Sequence, residues 1–223
     1  MDTLPDRLRQ RLAGPLPGPE AQLRLAPRPR TEPEPGDDHS VLRAAAALLL
    51  IYPADDAAQD PARSASHDAW RIPLTVRSAA LRSHTGQVSL PGGRVDAGES
   101  FEAAALREAH EEIGVEPADV EILGRLTPVP IWVSRHLLHP VVGVARARPE
   151  FRLHAGEVDR LIELPLETLV APDVVRWEQR ARSYPPLGVM DVPYFDLAGA
   201  RCWGATAMVL AELVVLLGDL HGA

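Results

Sequence analysis

The chain has 223 residues, and a monomer of this length buries roughly 70% of the surface of its unfolded chain, enough for one substantial core. Apolar residues make up 46% of the sequence, which excludes a wholly disordered chain. The formal net charge of -8 argues against a general nucleic-acid-binding surface, although every basic residue apart from histidine is an arginine.

Residues 1–38 are expected to form a proline-rich N-terminal arm, with the main domain at 39–223. A short helix from about residue 5 to 13 is predicted by leucines at helical spacing, namely Leu4, Leu8 and Leu12. The repeated prolines between residues 15 and 35 disfavour regular helix and sheet. We therefore expect a loosely ordered arm that can be deleted without loss of solubility or activity.

Beyond the arm, the pattern predicts strands on both sides of a central helix and a second helix near the end. Strands are expected at 43–52, 71–76, 85–90, 120–126, 137–147 and 157–164. The central helix is expected from Ser100 to Ile113, with Ser100 as the N-cap and Gly114 in position to end it. The last helix is expected at about 205–220. This order predicts a mixed α/β layered domain.

Three carboxylates on the central helix are the first indication of chemistry. Glu108 and Glu112 are one helical turn apart, and Glu111 lies three residues after Glu108. Like charges at these spacings repel each other in an isolated helix, whereas a polyvalent cation would turn the repulsion into chelation. Oxygen ligands suit Mg²⁺ or Mn²⁺ rather than Zn²⁺. Taken alone, such carboxylates are more often a solvated acidic face.

The residues around these carboxylates favour a site over a solvated face. Gly92 and Gly93 let the backbone approach a ligand closely, and the Gly93 carbonyl is available as another oxygen ligand. Glu99, at the helix entry, can meet Arg107 or lie next to the metal cluster. Seven fixed positions between residues 93 and 114 fit the pattern G-x5-E-x7-R-E-x-x-E-E-x-G, which chance matching does not readily produce.

The segment 93–115 resembles the Nudix box, the signature of hydrolases that cleave a nucleoside diphosphate linked to another group. The resemblance implies an α/β/α Nudix sandwich with a mixed sheet, in which the box forms a loop-helix-loop. It also implies Mg²⁺ or Mn²⁺ held by Glu108 and Glu112, with Glu111 and the Gly93 carbonyl as further ligands. Ala109 stands where the family usually has a larger aliphatic residue.

The sequence outside the box resembles the coenzyme A pyrophosphatase branch of this family. The matching stretches are 73–78, 81–82, 84, 86–88 and 91–93 before the box, and 43–46, 157–166 and 203–207 elsewhere. Leu90 stands where that branch usually has Phe. The candidate substrate-binding residues are Arg77, Arg82, His84 and Gln87. Arginine suits bidentate phosphate contacts, although ordinary surface arginines are the alternative, and His84 alone is more typical of a structural hydrogen bond.

The resemblance implies metal-dependent hydrolysis of the pyrophosphate bond of coenzyme A or its thioesters, giving 3',5'-ADP and (acyl-)4'-phosphopantetheine. Glu108 or Glu111 is the first candidate for the general base, and Glu157 a weaker one. Arg107 would hold Glu99 and orient the helix. The alternatives are a Nudix pyrophosphatase for ADP-ribose or another nucleoside diphosphate derivative, and a non-catalytic Nudix-fold binding module. Such modules tend to lose box carboxylates, which are all present here.

The expected partners are a small-molecule nucleotide and, as a candidate, a second copy of the chain; neither nucleic acid nor membrane is expected. The longest apolar run, 44–52, is too short to span a bilayer. Because Cys202 is the only cysteine, no intrachain disulfide can form, and a reducing compartment such as the cytoplasm is expected. Acyl preference, the number of metal ions and the oligomeric state are left open.

Overall fold

The computed structural model describes residues 2–30, 39–54, 64–78, 86–182, 188–197 and 199–218. Its helices are α1 (Leu4–Leu12), α2 (Gly18–Gln22), α3 (Phe101–Ile113), α4 (Leu166–Leu169) and α5 (Ala205–Gly218). Its strands are β1 (Arg43–Pro53), β2 (Trp70–Arg77), β3 (Val88–Ser89), β4 (Gly92–Arg94), β5 (Val120–Arg125), β6 (Val129–Ile131), β7 (His136–Ala145), β8 (Val158–Pro165), β9 (Val175–Ala181), β10 (Val189–Leu197) and β11 (Ala200–Trp203).

The main sheet is mixed and has β1 near its centre. One edge of β1 pairs with β7 in parallel, from Arg43 opposite His136 to Ile51 opposite Val144. The other edge pairs antiparallel with the short strand β4 and then with β2. Strands β3 and β8 join β2, while β5 and β6 join β7. The pairing of β1 with both β4 and β7 places the box loop beside the middle of the sheet.

Strand β1 separates two hydrophobic layers, because its successive side chains point to opposite faces. Ala46, Leu48 and Leu50 pack with α3, whereas Leu49 and Ile51 pack with α5 on the other side. A strand buried on both faces reads as a continuous apolar run, as this one does. Helices on both sides of a mixed sheet confirm the mixed α/β layered domain that the pattern predicted and the α/β/α sandwich that the resemblance implied.

Helix α3 forms where the sequence placed it, because both of its ends are capped. The Ser100 hydroxyl accepts a hydrogen bond from the Ala103 amide, and Gly114 adopts the left-handed conformation with φ of 74°. The residues of its apolar face, Ala105, Ala109 and Ile113, are fully buried. Ala109 therefore keeps the packing face intact despite its small size.

The N-terminal arm departs from the expectation of loose order. Helix α1 is present as predicted, and Leu4 and Leu8 on it are fully buried in the core that contains α5. The Glu212 carboxylate of α5 has no exposed surface and accepts hydrogen bonds from the Gly18 amide and the Gln22 side chain. The expectation of loose order was wrong for residues 2–30, because their few apolar side chains find a hydrophobic face to cover.

A second sheet of three strands, in the order β11-β10-β9, was not predicted from the sequence. Strand β9 is mostly exposed and has no continuous apolar run, so its pattern gives no strand signal. Phe195 and Cys202 anchor this sheet to the main core. The predicted strand at 85–90 is found only as β3, and Thr85 lies outside the described residues. Among the described helices, none is long and apolar enough to cross a membrane.

Candidate active site

The loop before α3 lies directly against the carboxylates of that helix. A β-carbon added at Gly93 would lie 2.3 Å from the carboxyl carbon of Glu108, so a larger residue would displace that carboxylate. The Gly92 amide donates a hydrogen bond of 3.3 Å to Oε2 of Glu112. Strand β4 thus places backbone without side chains next to Glu108 and Glu112, two of the predicted metal ligands. This is the close backbone approach that the two glycines predicted.

Burial disfavours the charged forms of Glu108 and Glu112, although each has an arginine nearby. Glu112 is only 4% exposed, and burial raises its pKa to about 7, with the nearby Glu108 and Glu157 carboxylates acting in the same direction. Arg77 opposes this shift from a distance of 3.9 Å between its Nη1 and Oε1 of Glu112. Burial also raises the pKa of Glu108. A further cation would therefore stabilise the charged forms.

Arg107 connects the helix to the loop through several hydrogen bonds. Its guanidinium donates to both carboxylate oxygens of Glu99, at 3.0 and 3.1 Å, and to the carbonyl of Arg94 at 2.9 Å. It also donates to Glu108 at 2.9 Å and to Glu111 at 3.3 Å. The hydrogen bonds from Arg107 hold the pKa of Glu99 below its usual value. The predicted contact between Glu99 and Arg107 is therefore present.

Glu111 and Glu157 stand at the exposed side of this cluster. The Glu111 side chain is 56% exposed, and it accepts a hydrogen bond from Arg107, which also binds Glu108. Glu157 precedes β8 and is also exposed; its carbonyl accepts a 2.8 Å hydrogen bond from the amide of Ser78, which directly follows Arg77. Glu157 raises the pKa of both Glu108 and Glu112, so the fold brings this distant carboxylate within electrostatic range of the helix.

The donor set fits a hard divalent cation that keeps some of its water. Glu108, Glu112 and the adjacent Gly93 backbone offer oxygen atoms alone, and burial raises the pKa of both carboxyls. Within the described ranges, no three acidic, histidine or cysteine side chains converge closely enough to hold an ion by themselves. Mg²⁺ is commonly bound by one or two carboxylates together with waters and substrate phosphates, so this set is sufficient.

A cavity of about 940 Å³ opens beside the box loop. Gly93, Arg77 and Gln87 line it, so two of the predicted substrate-binding residues face the same space as the box. Arg82 and His84 lie outside the described residues. Sequence reasoning missed the other walls, which are supplied by side chains far apart in the chain: Arg30, Trp132, Trp203 and Met208. No local motif marks Arg30, Trp132 or Met208, because only folding brings them together, whereas Trp203 begins one of the stretches on which the resemblance rests.

Comparison with known proteins gives one family. A model of the NUDIX domain matches residues 63–185. The uncharacterized Nudix hydrolase NudL of Pectobacterium atrosepticum is 36% identical over 160 residues, which cover 69% of this chain and 78% of that protein. Nudix hydrolase 15, mitochondrial, of Arabidopsis thaliana is 33% identical over 178 residues, which cover 74% of this chain and 55% of that one.

Among solved structures, a MutT/nudix family protein from Enterococcus faecalis aligns with a TM-score of 0.48 and 16% identity, covering 85% of this chain and 66% of that one. The family assignment rests on the sequence matches instead. The matched domain spans more than half of the chain and contains both the glycine loop and the carboxylate helix. The chain therefore belongs to the Nudix hydrolase family and is a pyrophosphohydrolase.

Proposed function

We propose that this pyrophosphohydrolase cleaves the diphosphate of coenzyme A or its thioesters. Water attacks one phosphorus atom, the bond from that phosphorus to the bridging oxygen breaks, and the products are 3',5'-ADP and (acyl-)4'-phosphopantetheine. ADP-ribose or another nucleoside diphosphate derivative is the competing substrate. The proposal selects one member of the nucleotide-derivative class on which Nudix enzymes act.

The observation that carries this proposal is the lining of the cavity beside the box. Its lining combines Gly93 and Arg77 with apolar side chains that include Trp203 and Met208. Coenzyme A combines a highly charged nucleotide end with a long, uncharged pantetheine arm. A cavity lined by both arginine and apolar side chains suits such a ligand. The residues upstream of the box that resemble the coenzyme A branch support the same choice.

In this proposal some residues of the site bind charged groups, and others hold those residues in position. Glu108, Glu112 and the Gly93 carbonyl would hold Mg²⁺ or Mn²⁺, with Glu111 as a further ligand. When bound, the cation would neutralise charge on the diphosphate and acidify a water molecule. Arg77 would bind the same diphosphate through its guanidinium. Arg107 keeps Glu108 and the loop in register, which is a positioning role.

The general base is one of three carboxylates, Glu108, Glu111 or Glu157. Glu108 accepts a hydrogen bond from Arg107. Glu157 is exposed, lies just before β8, and is near enough to Glu108 to raise the pKa of that carboxyl. A base accepts the proton of the attacking water, so its amide variant loses turnover without losing metal affinity. The amide variant of a metal ligand loses both turnover and metal affinity. Titration of Mn²⁺ against each Glu→Gln variant therefore separates the two roles.

The substrate assignment is tested by incubating the protein with Mg²⁺ or Mn²⁺ and a panel of substrates, with products identified by mass. The panel contains coenzyme A, acetyl-coenzyme A, ADP-ribose, NADH and diadenosine tetraphosphate. We expect 3',5'-ADP from the coenzyme A substrates at the highest kcat/KM. A higher kcat/KM on ADP-ribose or the dinucleotides would contradict the proposal.

Glu108→Gln and Glu112→Gln are the matched variants for this assay, since each keeps the side-chain shape. Losing one electrostatic stabiliser in an active site costs about a hundredfold to a thousandfold in turnover, and we expect that loss here. Glu116→Gln, whose carboxylate is 65% exposed just beyond the helix, serves as the control. Near-normal turnover of both box variants at saturating metal would exclude the assigned ligands.

We also propose a cytoplasmic location for this reaction. Cys202 is fully buried, and burial raises the pKa of its thiol, which keeps it in the unreactive protonated form. The thiol therefore fits a small core residue rather than a redox group. Fractionation of the source cells followed by immunodetection would test the location.

A further inference from the structure

The segment that precedes the matched domain contributes to the cavity of the site. Leu25 and Ala26 are buried in the core, and the backbone of Arg28 exchanges two hydrogen bonds of 2.8 Å with that of Asp191. These contacts fix the chain on both sides of Pro27, which lines the cavity together with Arg30. Because the domain match covers 63–185, family likeness assigns this segment no part in the site.

Arg30 is a cation held at the cavity wall. Its Nη2 donates a 2.8 Å hydrogen bond to the carbonyl of Pro130, which fixes the guanidinium against β6. The side chain is half-buried, and burial lowers its pKa; no carboxylate in the part of the chain that the structure describes acts on it. A guanidinium has five N–H donors, so most remain for a ligand. A half-buried cation that has no carboxylate partner among the described residues suits an anionic group of the substrate.

Arg30 and Arg77 belong to different parts of the cavity wall. Arg77 lies 3.9 Å from the Glu112 carboxylate, which places it at the carboxylate cluster where the diphosphate would react. Arg30 is instead tied to β6, a strand on the other side of β1 from the box strand β4. The two arginines are therefore placed to meet two different anionic groups of one ligand.

The wall that holds Arg30 also offers an aromatic surface. Trp132 follows Pro130 by two residues, lines the same cavity and is only partly buried. Aromatic rings bind nucleobases by stacking, and the interaction tolerates any base. An aromatic ring beside a guanidinium is suited to the base and the ribose phosphate of a nucleotide.

We propose that Arg30 binds a phosphate monoester on the ribose of the substrate, at a distance from the diphosphate that is hydrolysed. This inference rests on the proposed function, under which the group is the 3'-phosphate of coenzyme A. The N-terminal segment is then a specificity element of the enzyme. Under this proposal Arg30 binds the 3'-phosphate, and Arg77 binds the diphosphate.

The test compares Arg30→Gln with Arg28→Gln in the full chain. Arg28 is the matched control, because it lies two residues away, is exposed and rests on the ring of Trp177, outside the cavity. We measure kcat/KM on coenzyme A and on dephospho-coenzyme A. Arg30→Gln should lower the value for coenzyme A roughly ten- to a hundredfold, mainly through KM, while dephospho-coenzyme A is nearly unaffected. Arg28→Gln should change neither value.

A binding measurement keeps this inference separate from the substrate assignment. Calorimetry with 3',5'-ADP and 5'-AMP needs no turnover, and the wild-type protein should prefer 3',5'-ADP. Arg30→Gln should abolish that preference, and Arg28→Gln should retain it. No preference in the wild type, or equal losses of both ligands in Arg30→Gln, would overturn the role of Arg30. The turnover panel decides the coenzyme A assignment by itself.

Discussion

Gly92 and Gly93 are adjacent glycines that are required for different reasons. A β-carbon at Gly92 would lie 2.4 Å from the Ala46 carbonyl and 2.6 Å from the α-carbon of Ala47, both of which are backbone atoms of β1. For a β-carbon at Gly93, the three nearest atoms are instead all at the end of the flexible Glu108 side chain. The first glycine therefore serves the fold, and the second serves the position of a carboxylate.

Alanine substitutions should separate these two roles. Gly93→Ala should displace the Glu108 carboxylate and lower kcat/KM by about a hundredfold, because small displacements in an active site are that costly. Its melting temperature should stay close to that of the wild type. Gly92→Ala should lower the melting temperature, since overpacking against backbone costs about 1–3 kcal/mol or more. Thermal melts and kinetics on both variants are the measurement, and equal stability losses would refute this distinction.

The N-terminal helices are elements of the fold rather than an appendage to it. Leu8 of α1 is fully buried, and the Glu212 carboxylate joins α5 to α2 and to the Thr127 amide and hydroxyl. Thr127 leads into β6, which carries one wall of the cavity. One buried carboxylate therefore contacts both the arm and the residues that lead into a wall of the cavity.

Leu8→Ala should destabilise the protein by about 2–5 kcal/mol, the usual loss for a fully buried leucine. At this chain length the melting temperature should fall on the order of 10 °C. Leu23→Ala is the control within the same segment, because Leu23 is 44% exposed, and it should melt close to the wild type. Thermal denaturation followed by circular dichroism measures both. Equal melting temperatures for the two variants would instead support the expectation of a loosely ordered arm.

At the scale of the whole molecule, the end of the sheet away from the box is fastened by an ionic cluster. The Tyr52 hydroxyl at the end of β1 donates a 2.8 Å hydrogen bond to Glu163 of β8. Arg148, after β7, donates two hydrogen bonds to the same carboxylate, at 2.7 and 2.6 Å. The hydrogen bonds from Arg148 hold the pKa of Glu163 below its usual value. The cluster thus joins three parts of the main sheet.

This cluster should make stability depend on pH in a defined direction. A carboxyl whose pKa is lower in the folded state stabilises the protein at a pH above the pKa that the group has in the unfolded chain, which is about 4.5 here. That contribution is lost as the pH falls through the pKa of the folded state. Glu163→Gln should therefore melt below the wild type at pH 7, and the difference should shrink at about pH 3. Glu150→Gln, altering a carboxylate that is 84% exposed, is the control. A constant difference for Glu163→Gln would contradict this assignment.

Local signals in the sequence were sufficient for the central helix, the β1 strand and the box. Capping by Ser100 and Gly114 depends on neighbouring residues alone, and the spacing of Glu108 and Glu112 follows from helical periodicity. Strand boundaries were less secure. The exposed strand β9 gave no signal, because strands that pack little apolar surface lack a pattern.

The sequence by itself determined which residues meet between the glycine loop and the central helix, because one continuous segment holds the loop, the carboxylates and the arginine that links them. It did not determine which residues line the cavity beside them. Arg30, Trp132 and Trp203 lie on separate elements, and only the packing of those elements places them at one cavity. The arm shows the same division: its leucine spacing predicted a helix, but the apolar face that the helix covers exists only in the folded sheet and α5.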